Sequence, residues 1–594
     1  MSVQDVILHV NGASAPFFYF VVENLLVYTY NILTGVHLFI TYLGYSESHA
    51  TLLHWYLVYH NFIVIQTIIP DFIEQEILMT WFPLCNYTHY SLLRGFSKPS
   101  ELVAECKNRG YVACGIADYK TISGAVSFYS ACKKNDIMPI IGCSFDGFSL
   151  FAKNKNGWYE LIELVSSIKD DEVDSRLLNK ATKSDNLFKV TPDQDFPESY
   201  YVNKEDAELH RILLCSNLKC TMAKAKGLVK GTPLQKFFDK DEYYLKEYST
   251  ENTCFDDILE ECEEYNILNN PMLPSFPCPN GQSEEDYLRA LARKGWGEKL
   301  AKKIKKGSEE WTIYGDRFNK EFEVIKEANL FGYFLIVSDI IRHVKSKGWM
   351  AGPGRGSAAG CLISYLIGIT QVDPVEFDLI FERFYNSGRN TDGNVSLPDI
   401  DMDVPAGKRD DVIDYLRETY GAERVSQMLT FGRLQGRSAI KEVLRTYQAC
   451  GFSEMNEITK AIPDEAAISD QLSQMDDDER SIIRWALLNN PEDLRGYCFI
   501  NDDGELEGDY ADMFDKAIKI EGTFKTQGKH AAGVVISAEP LHKVCPMATQ
   551  KNADEKIAGL EMSDLEALGH VKFDVLGLST LDKVMKIKEI LNES

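Results

Sequence analysis

The chain has 594 residues, 45% of them hydrophobic and 26% charged, and a formal net charge of −26. Its length suits about three or four domains, and an ordinary composition without low-complexity tracts or internal repeats excludes a disordered or repetitive protein. The acidity excludes a protein that holds nucleic acid by bulk charge alone, so a nucleic-acid site would need a local basic patch or metal ions.

No Lys or Arg precedes Arg94. Residues 16–43, "PFFYFVVENLLVYTYNILTGVHLFITYL", are apolar but broken by Glu23 and Asn24. They lack the basic region of a signal peptide and the positive flank of a membrane span. A buried helical extension, a membrane anchor and upstream sequence from a misassigned start compete. The last is the favoured reading, with 1–78 an atypical extension, no membrane partner, and a domain opening at Met79. The fourteen cysteines show no C-x-x-C pair and no zinc spacing, which predicts a reduced cytoplasmic chain with structural thiols.

From Met79 to about Phe276 short apolar runs alternate with helical segments. A helix over 100–110 with a Ser cap and a Gly stop precedes a strand over 111–118, a helix over 125–136 and a strand over 137–145. That rhythm predicts a parallel, barrel-like α/β domain. The Pro- and Gly-rich "MLPSFPCPNGQS" (272–283) predicts a linker. Residues 284–350 read as helices, the first with a capping-box start and the last, "YFLIVSDIIRHVKSKG" (333–348), amphipathic with Gly348 as its stop. A Gly-rich loop runs into a helix over 352–368, 412–488 reads as mostly helical, and the text after His530 turns strand-like again.

Four stretches stand out chemically. "SLPDIDMDV" (396–404) sets Asp399, Asp401 and Asp403 at every second position, on one face of a strand. Like charges that close are unfavourable without a cation between them, so the run is either a solvated edge strand or a divalent-metal site. "GPGRGSAAG" (352–360) is neither a P-loop nor a dinucleotide fingerprint. Its Gly352, Gly354 and Gly356 expose backbone N–H groups, Arg355 adds a forked cation, and Ser357 offers a hydroxyl at the next helix's N-terminus. It reads equally as a phosphate cradle or a structural turn. Arg433, Arg437, Lys441 and Arg445, spaced by four, would form one basic stripe on a helix, either a solvated face or a grip on a nucleic-acid backbone. In "HVKFDVLGL" Lys572 and Asp574 interrupt an apolar strand on one face, while His530 by itself reads as structural. Together these form a kit for two-metal phosphoryl or nucleotidyl transfer, with Mg²⁺ shared between carboxylates and substrate phosphates.

In order, "GYFLIVSDII", "GPGRGSAAG", "DPVEFDLIFERFYN", "LPDIDMD", "VSQMLTFG", "GKHAAGVVIS" and "VKFDVLGLSTL" resemble the C-family bacterial replicative DNA polymerases, the DNA polymerase III alpha subunits. The resemblance runs from about Met79 to the C-terminus. It implies a multidomain α/β protein in which a PHP-like (β/α) barrel precedes a polymerase-beta-like nucleotidyltransferase palm with a helical thumb inserted. The implied segments are a degenerate PHP domain at 79–278, palm at 279–431 and 513–578, thumb at 432–512, and the start of truncated fingers at 579–594. By motif match Asp401, Asp403 and Asp574 would be the catalytic, metal-binding carboxylates for two Mg²⁺ ions, with Asp399 and His530 supporting. Arg355, Gly356, Ser357, Arg389 and Lys572 would hold the triphosphate, and Arg433, Arg437, Lys441 and Arg445 would bind DNA. The implied activity is template-directed DNA polymerisation from dNTPs on primer-template DNA.

Two departures qualify this. In "CNYTHYSLLRG" and "GIADYK" the positions of the family's PHP ligands fall on Cys85, Tyr87, Arg94 and Tyr119, with Asp118 kept, so a metal-free relic without proofreading is expected. The chain also stops soon after Asp574, so a separate C-terminal fragment carrying the fingers is the expected partner, and through it a sliding clamp and other replisome subunits. The alternatives are a non-catalytic DNA- or nucleotide-binding remnant, a PHP phosphoesterase and a membrane-anchored protein.

Overall fold

Short β-branched and aromatic runs form two main sheets in a computed structural model. It describes residues 81–193, 196–247, 254–386, 388, 397–476, 479–549 and 555–593. The stretch 16–43, the proposed start at Met79, and Arg389 lie outside the described residues. Trp81–Ser594 is one compact unit. Among the described residues no helix is long and apolar enough to cross a membrane. The cysteines described there are free thiols, most of them buried.

The first sheet holds β1 (Ala113–Tyr119), β2 (Met138–Phe145), β3 (Phe148–Ala152) and β4 (Leu187–Val190) in that order. β1 and β2 are parallel across the helix Ala125–Lys134, as the βα rhythm predicts. β3 and β4 run antiparallel instead. The reason is local: only Asp146 and Gly147 separate β2 from β3, and Gly147 takes φ +90°. Two residues can close a hairpin but cannot carry a crossover, and the Asp-Gly pair was the signal for it. The preceding helix, Pro99–Asn108, starts on Pro99 after Lys98 rather than on a Ser cap.

The second sheet follows β5 (Asp401–Pro405) and β6 (Val425–Arg433). A separate hairpin of β7 (Phe499–Ile500) and β8 (Leu506–Glu507) intervenes before β9 (Phe524–Ile536), β10 (Met547–Thr549), β11 (Lys556–Ala558) and β12 (Val571–Leu578). The six sheet strands lie in the order β10-β11-β6-β9-β12-β5. The two-residue period splits the last strands cleanly. Met402, Val404, Val534, Ile536, Phe573 and Val575 are at most 1% exposed and share a core with the helices Phe331–Ser346 and Arg409–Tyr420. Val535, on the opposite face of β9, joins Met428 of β6 and Ala558 of β11 in the core of the first domain. That seam is sealed by hydrogen bonds from Met547 N–H to Ser166 Oγ (3.0 Å) and from Thr549 Oγ1 to the Ile168 carbonyl (3.0 Å).

One expectation from patterning fails here. The helix Phe331–Ser346 is not amphipathic at its start: Phe331 to Ser338 are all buried, because sheet and helices surround that turn. The span 412–488 is mostly helical, as expected, with one interruption: Val425–Arg433 is an inner strand of the sheet. "VSQMLTF" was a strand signal in β-branched and aromatic residues. The helices from Gly436 to Ile520, inserted between β6 and β9, build their own apolar core, which also takes in Leu209, Ile212 and Leu213 of the helix Ala207–Leu218.

Candidate active site

β12 and β5 pair in parallel with Asp574 opposite Asp401 and Leu576 opposite Asp403. Residues two apart share a face, so Lys572, Asp574, Asp401 and Asp403 all project away from the helix-backed core. One oxygen each from Asp399, Asp401 and Asp574 lie within 4.8 Å of one another. Two cations hold this cluster together. Arg355 places Nη1 3.1 Å from Asp401 Oδ2 and Nε 3.2 Å from Asp403 Oδ1. Lys572 Nζ lies 2.8 Å from Asp574 Oδ2 and 3.8 Å from Asp399 Oδ1. The second Asp574 oxygen, Oδ1, is buried without a hydrogen-bond partner. A buried carboxylate oxygen left unpartnered is costly, and a hard divalent cation is the ligand that fits a three-carboxylate oxygen set.

Burial raises the Asp401 pKa, Arg355 opposes that shift, and the neighbouring carboxylates of Asp399, Asp574 and Asp403 reinforce it. For Lys572, burial works to lower the ammonium pKa, but the hydrogen bond and charge of Asp574, with Asp399 and Glu566, overcome it and raise the value. Asp401 thus stands in a crowd of carboxylates, where its ionised form depends on the positive charge of Arg355.

The Gly-rich loop lies directly on β5. Gly352 N–H donates to the Asp403 carbonyl (2.9 Å), and a Cβ on Gly352 would come within 2.6 Å of Asp403 Cβ. Gly354 and Gly356 take φ +93° and +62° on either side of Arg355, a backbone that side-chain-bearing residues rarely adopt. Gly356 and Ser357 are exposed beside Arg355. Ser357, however, does not head the next helix. It sits in a 3₁₀ turn, Gly356–Gly360, and the helix that follows is Leu362–Leu366. The free amides of that helix are already taken. Glu321, fully buried, accepts the N–H of Leu362 and of Ile363 (3.0 Å each) and pairs with Arg317 Nε at 2.6 Å. Arg317 Nη2 in turn donates to the Gly360 and Leu379 carbonyls (2.7 and 3.0 Å). Sequence reading missed this anchor, although a carboxylate on the face of Phe318, Phe322 and Ile325 was the available signal.

The remaining sequence candidates are placed less as expected. Arg433 ends β6 rather than joining a helix; it lies 3.6 Å from Glu561 and its guanidinium sits over the Phe524 ring. Arg437, Lys441 and Arg445 do share the helix Gly436–Tyr447. Arg437 donates to Asp464 at 2.9 Å, and Arg445 pairs with the buried Glu442, which also takes Lys525. The stripe is therefore partly neutralised within the chain, with Lys441 exposed. His530 lies inside β9 rather than before a strand. The β6–β9 register jumps from Leu429–Lys529 to Gln427–Val534, and His530 Nδ1 accepts the N–H of Gly533 (2.8 Å) and of Ala532 (3.3 Å) in that bulge. Gly533 is the register partner of Asp574, so the bulge shapes the strand beside the acids.

In the first domain three of the four substituted positions, Tyr87, Arg94 and Tyr119, have protein partners of their own. Arg94 stacks over the Tyr119 ring at 3.9 Å. Tyr87 bonds to Ser144 Oγ (2.8 Å) and stacks on Tyr200 at 4.3 Å. Cys85 is buried, and burial, with Glu198 and Asp193, pushes its thiol pKa up. Asp118 accepts from Thr88 N–H and Oγ1 (2.7 Å each) and from Ser91 Oγ (2.6 Å).

Comparison with known proteins agrees with this division. A family model described as the PHP domain matches residues 84–251, and one described as the bacterial DNA polymerase III alpha NTPase domain matches 286–577. The DNA polymerase III subunit alpha of Bacillus subtilis is 28% identical over 87% of this chain and 50% of its own length. Those of Pseudomonas aeruginosa (29%) and Aquifex aeolicus (28%) each match 85% of this chain, and 48% and 52% of their own lengths. A solved metal-dependent phosphoesterase from Bifidobacterium adolescentis aligns with 28% of this chain and 59% of its own at 15% identity, with a TM-score of 0.16, too slight a likeness to carry an argument. Over these two domains the chain is similar to the DNA polymerase III alpha subunits, and it spans about half the length of the curated relatives it matches.

Proposed function

We propose that this chain supplies the nucleotidyl-transfer centre of a replicative, template-directed DNA polymerase, with primer-template DNA and dNTPs as substrates. The observation that carries the reading is the register of β12 on β5, which sets Asp574, with one buried oxygen unpartnered, against Asp401, while Lys572 pairs with the first acid and Arg355 with the second. In this reading the second sheet is the palm, divided as 279–431 and 513–578, and the intervening helical segment is the thumb. The first domain, 79–278, is a metal-free scaffold, supported by the guanidinium–ring contact of Arg94 and Tyr119.

Asp401 and Asp574 would hold Mg²⁺, with Asp399 at the same oxygen cluster and Asp403 beside it. Two bound Mg²⁺ ions would activate the primer 3′-hydroxyl and neutralise the departing pyrophosphate. The chain's own groups do the rest. Arg355, with the amides of Gly356 and the Ser357 hydroxyl, grips the triphosphate, and Lys572 sits where charge gathers on its oxygens. Lys441 and its helix face the duplex. The part of the relatives' length that this chain does not match would supply the fingers and clamp contacts as a partner fragment.

The test is primer extension with Mg²⁺, dNTPs and the chain supplemented with that partner fragment. Asp401→Asn or Asp574→Asn should lower extension about 10³-fold or more, the scale of a lost electrostatic stabiliser. Full activity in either variant would sink the assignment. No extension by wild type, with a fluorescent dATP analogue still bound, would favour a non-catalytic nucleotide-binding remnant.

A further inference from the structure

We propose that Arg355 is a two-position gate: without nucleotide it occupies the carboxylates that would take metal, and a triphosphate draws it off. This inference rests on the nucleotidyl-transfer reading of the site and concerns how that site is controlled.

One guanidinium bridges both strand acids. Nη1 takes Asp401 Oδ2, and Nε lies 3.2 and 3.3 Å from the two oxygens of Asp403. Asp401 belongs to the only group of metal-ligating side chains found among the described residues. An oxygen bonded to a guanidinium is a poorer ligand, because its lone pair and local negative potential are already spent. Lys572 holds Asp574 and Asp399 in the same fashion, but it cannot move as freely. Its side chain is 11% exposed on a central strand, whereas that of Arg355 is 49% exposed on a loop.

The loop is built for such motion. Arg355 stands between two glycines at positive φ, and a Cβ on Gly356 would meet no atom within 4 Å. The loop's two ends are nonetheless fixed, by Gly352 on β5 and by Gly360 on Arg317. A swing of the one residue between these anchors costs little backbone. A half-exposed ion pair is worth at most about 1 kcal/mol, so a triphosphate that offers bidentate oxygens can compete for the fork. Release of Arg355 then leaves Asp401 and Asp403 without a counter-charge, and a divalent cation supplies it. Metal entry is thereby coupled to nucleotide arrival.

The signature is a single substitution with opposite effects on two ligands. Mn²⁺ binding, read from the free-ion EPR signal without nucleotide, should tighten about fivefold in Arg355→Ala. Binding of a fluorescent dATP analogue in EDTA should weaken. Millimolar guanidinium chloride should restore the weaker Mn²⁺ affinity in the variant and leave wild type unchanged. Thermal melts confirm folding, and Arg355→Lys provides a conservative second variant, expected between the two. If Asp401→Asn leaves Mn²⁺ binding as in wild type, the metal-site reading fails. If Asp401→Asn abolishes binding but Arg355→Ala leaves it unchanged or weakens it, the gate alone is overturned.

Discussion

Replacing Glu321 by Ala should remove the foundation of the Gly-rich loop. The carboxylate is fully buried and serves four donors: two helix amides, the Cys361 thiol (3.3 Å) and Arg317. Truncation strands the Leu362 and Ile363 amides away from water, at about 1–2 kcal/mol each. Arg317 keeps its two carbonyl partners and its side chain is 20% exposed, so it adds little to the loss. The expected destabilisation is therefore about 3 kcal/mol, the low end for a broken buried pair. Glu321→Gln should cost only about 1 kcal/mol. Burial pushes the Glu321 pKa up in spite of its amide and Arg317 partners, so the net gain from its charge is small. Equilibrium urea unfolding measures both variants, and hydrogen exchange across 356–368 locates the effect. A loss below about 1 kcal/mol in Glu321→Ala, with exchange of that segment unchanged, would refute the reasoning.

Three further outcomes are expected. Burial, with Glu561 nearby, raises the Asp564 pKa to about 6. The folded state then holds a proton that the unfolded state has lost. This favours folding below about pH 4 and is withdrawn as pH rises through 6. Asp564→Asn should accordingly raise stability at pH 7.5 by about 1–2 kcal/mol and leave it unchanged at pH 4, as thermal melts at the two values would show. Glu442 is the opposite case: burial raises its pKa, but Lys525 and Arg445 outweigh that and lower it. Its contribution is present at neutral pH and lost as pH falls below the ordinary carboxylate range, so Glu442→Gln should flatten the acid limb of the stability profile. Gly295→Ala would put a Cβ 1.9 Å from the Leu366 carbonyl oxygen, where the helix Glu284–Gly295 meets backbone. Backbone cannot rotate away, so a loss of about 2–3 kcal/mol in urea unfolding is expected.

Much of this molecule was legible in the order of its residues. The period-two run from Asp399 to Asp403, the Lys572–Asp574 pair and the glycines around Arg355 each announced a polar site on strands and a loop. The βα rhythm likewise gave β1 and β2 within a residue or two. Each of those signals lies within a few residues of chain, where periodicity and turn chemistry act directly. What the sequence could not decide was pairing across distance. That Asp574 stands opposite Asp401 depends on strand register, and that Asp399 joins their oxygens, that Asp403 turns to Arg355 and that Glu321 takes the amides of the helix after the Gly-rich loop depend on how distant segments pack. Arg433 and Arg437 are four apart on paper, yet a strand ends between them. Local spacing tells which side chains share a face. Only the packed sheet decides which faces meet, because register is set by burying apolar partners hundreds of residues away.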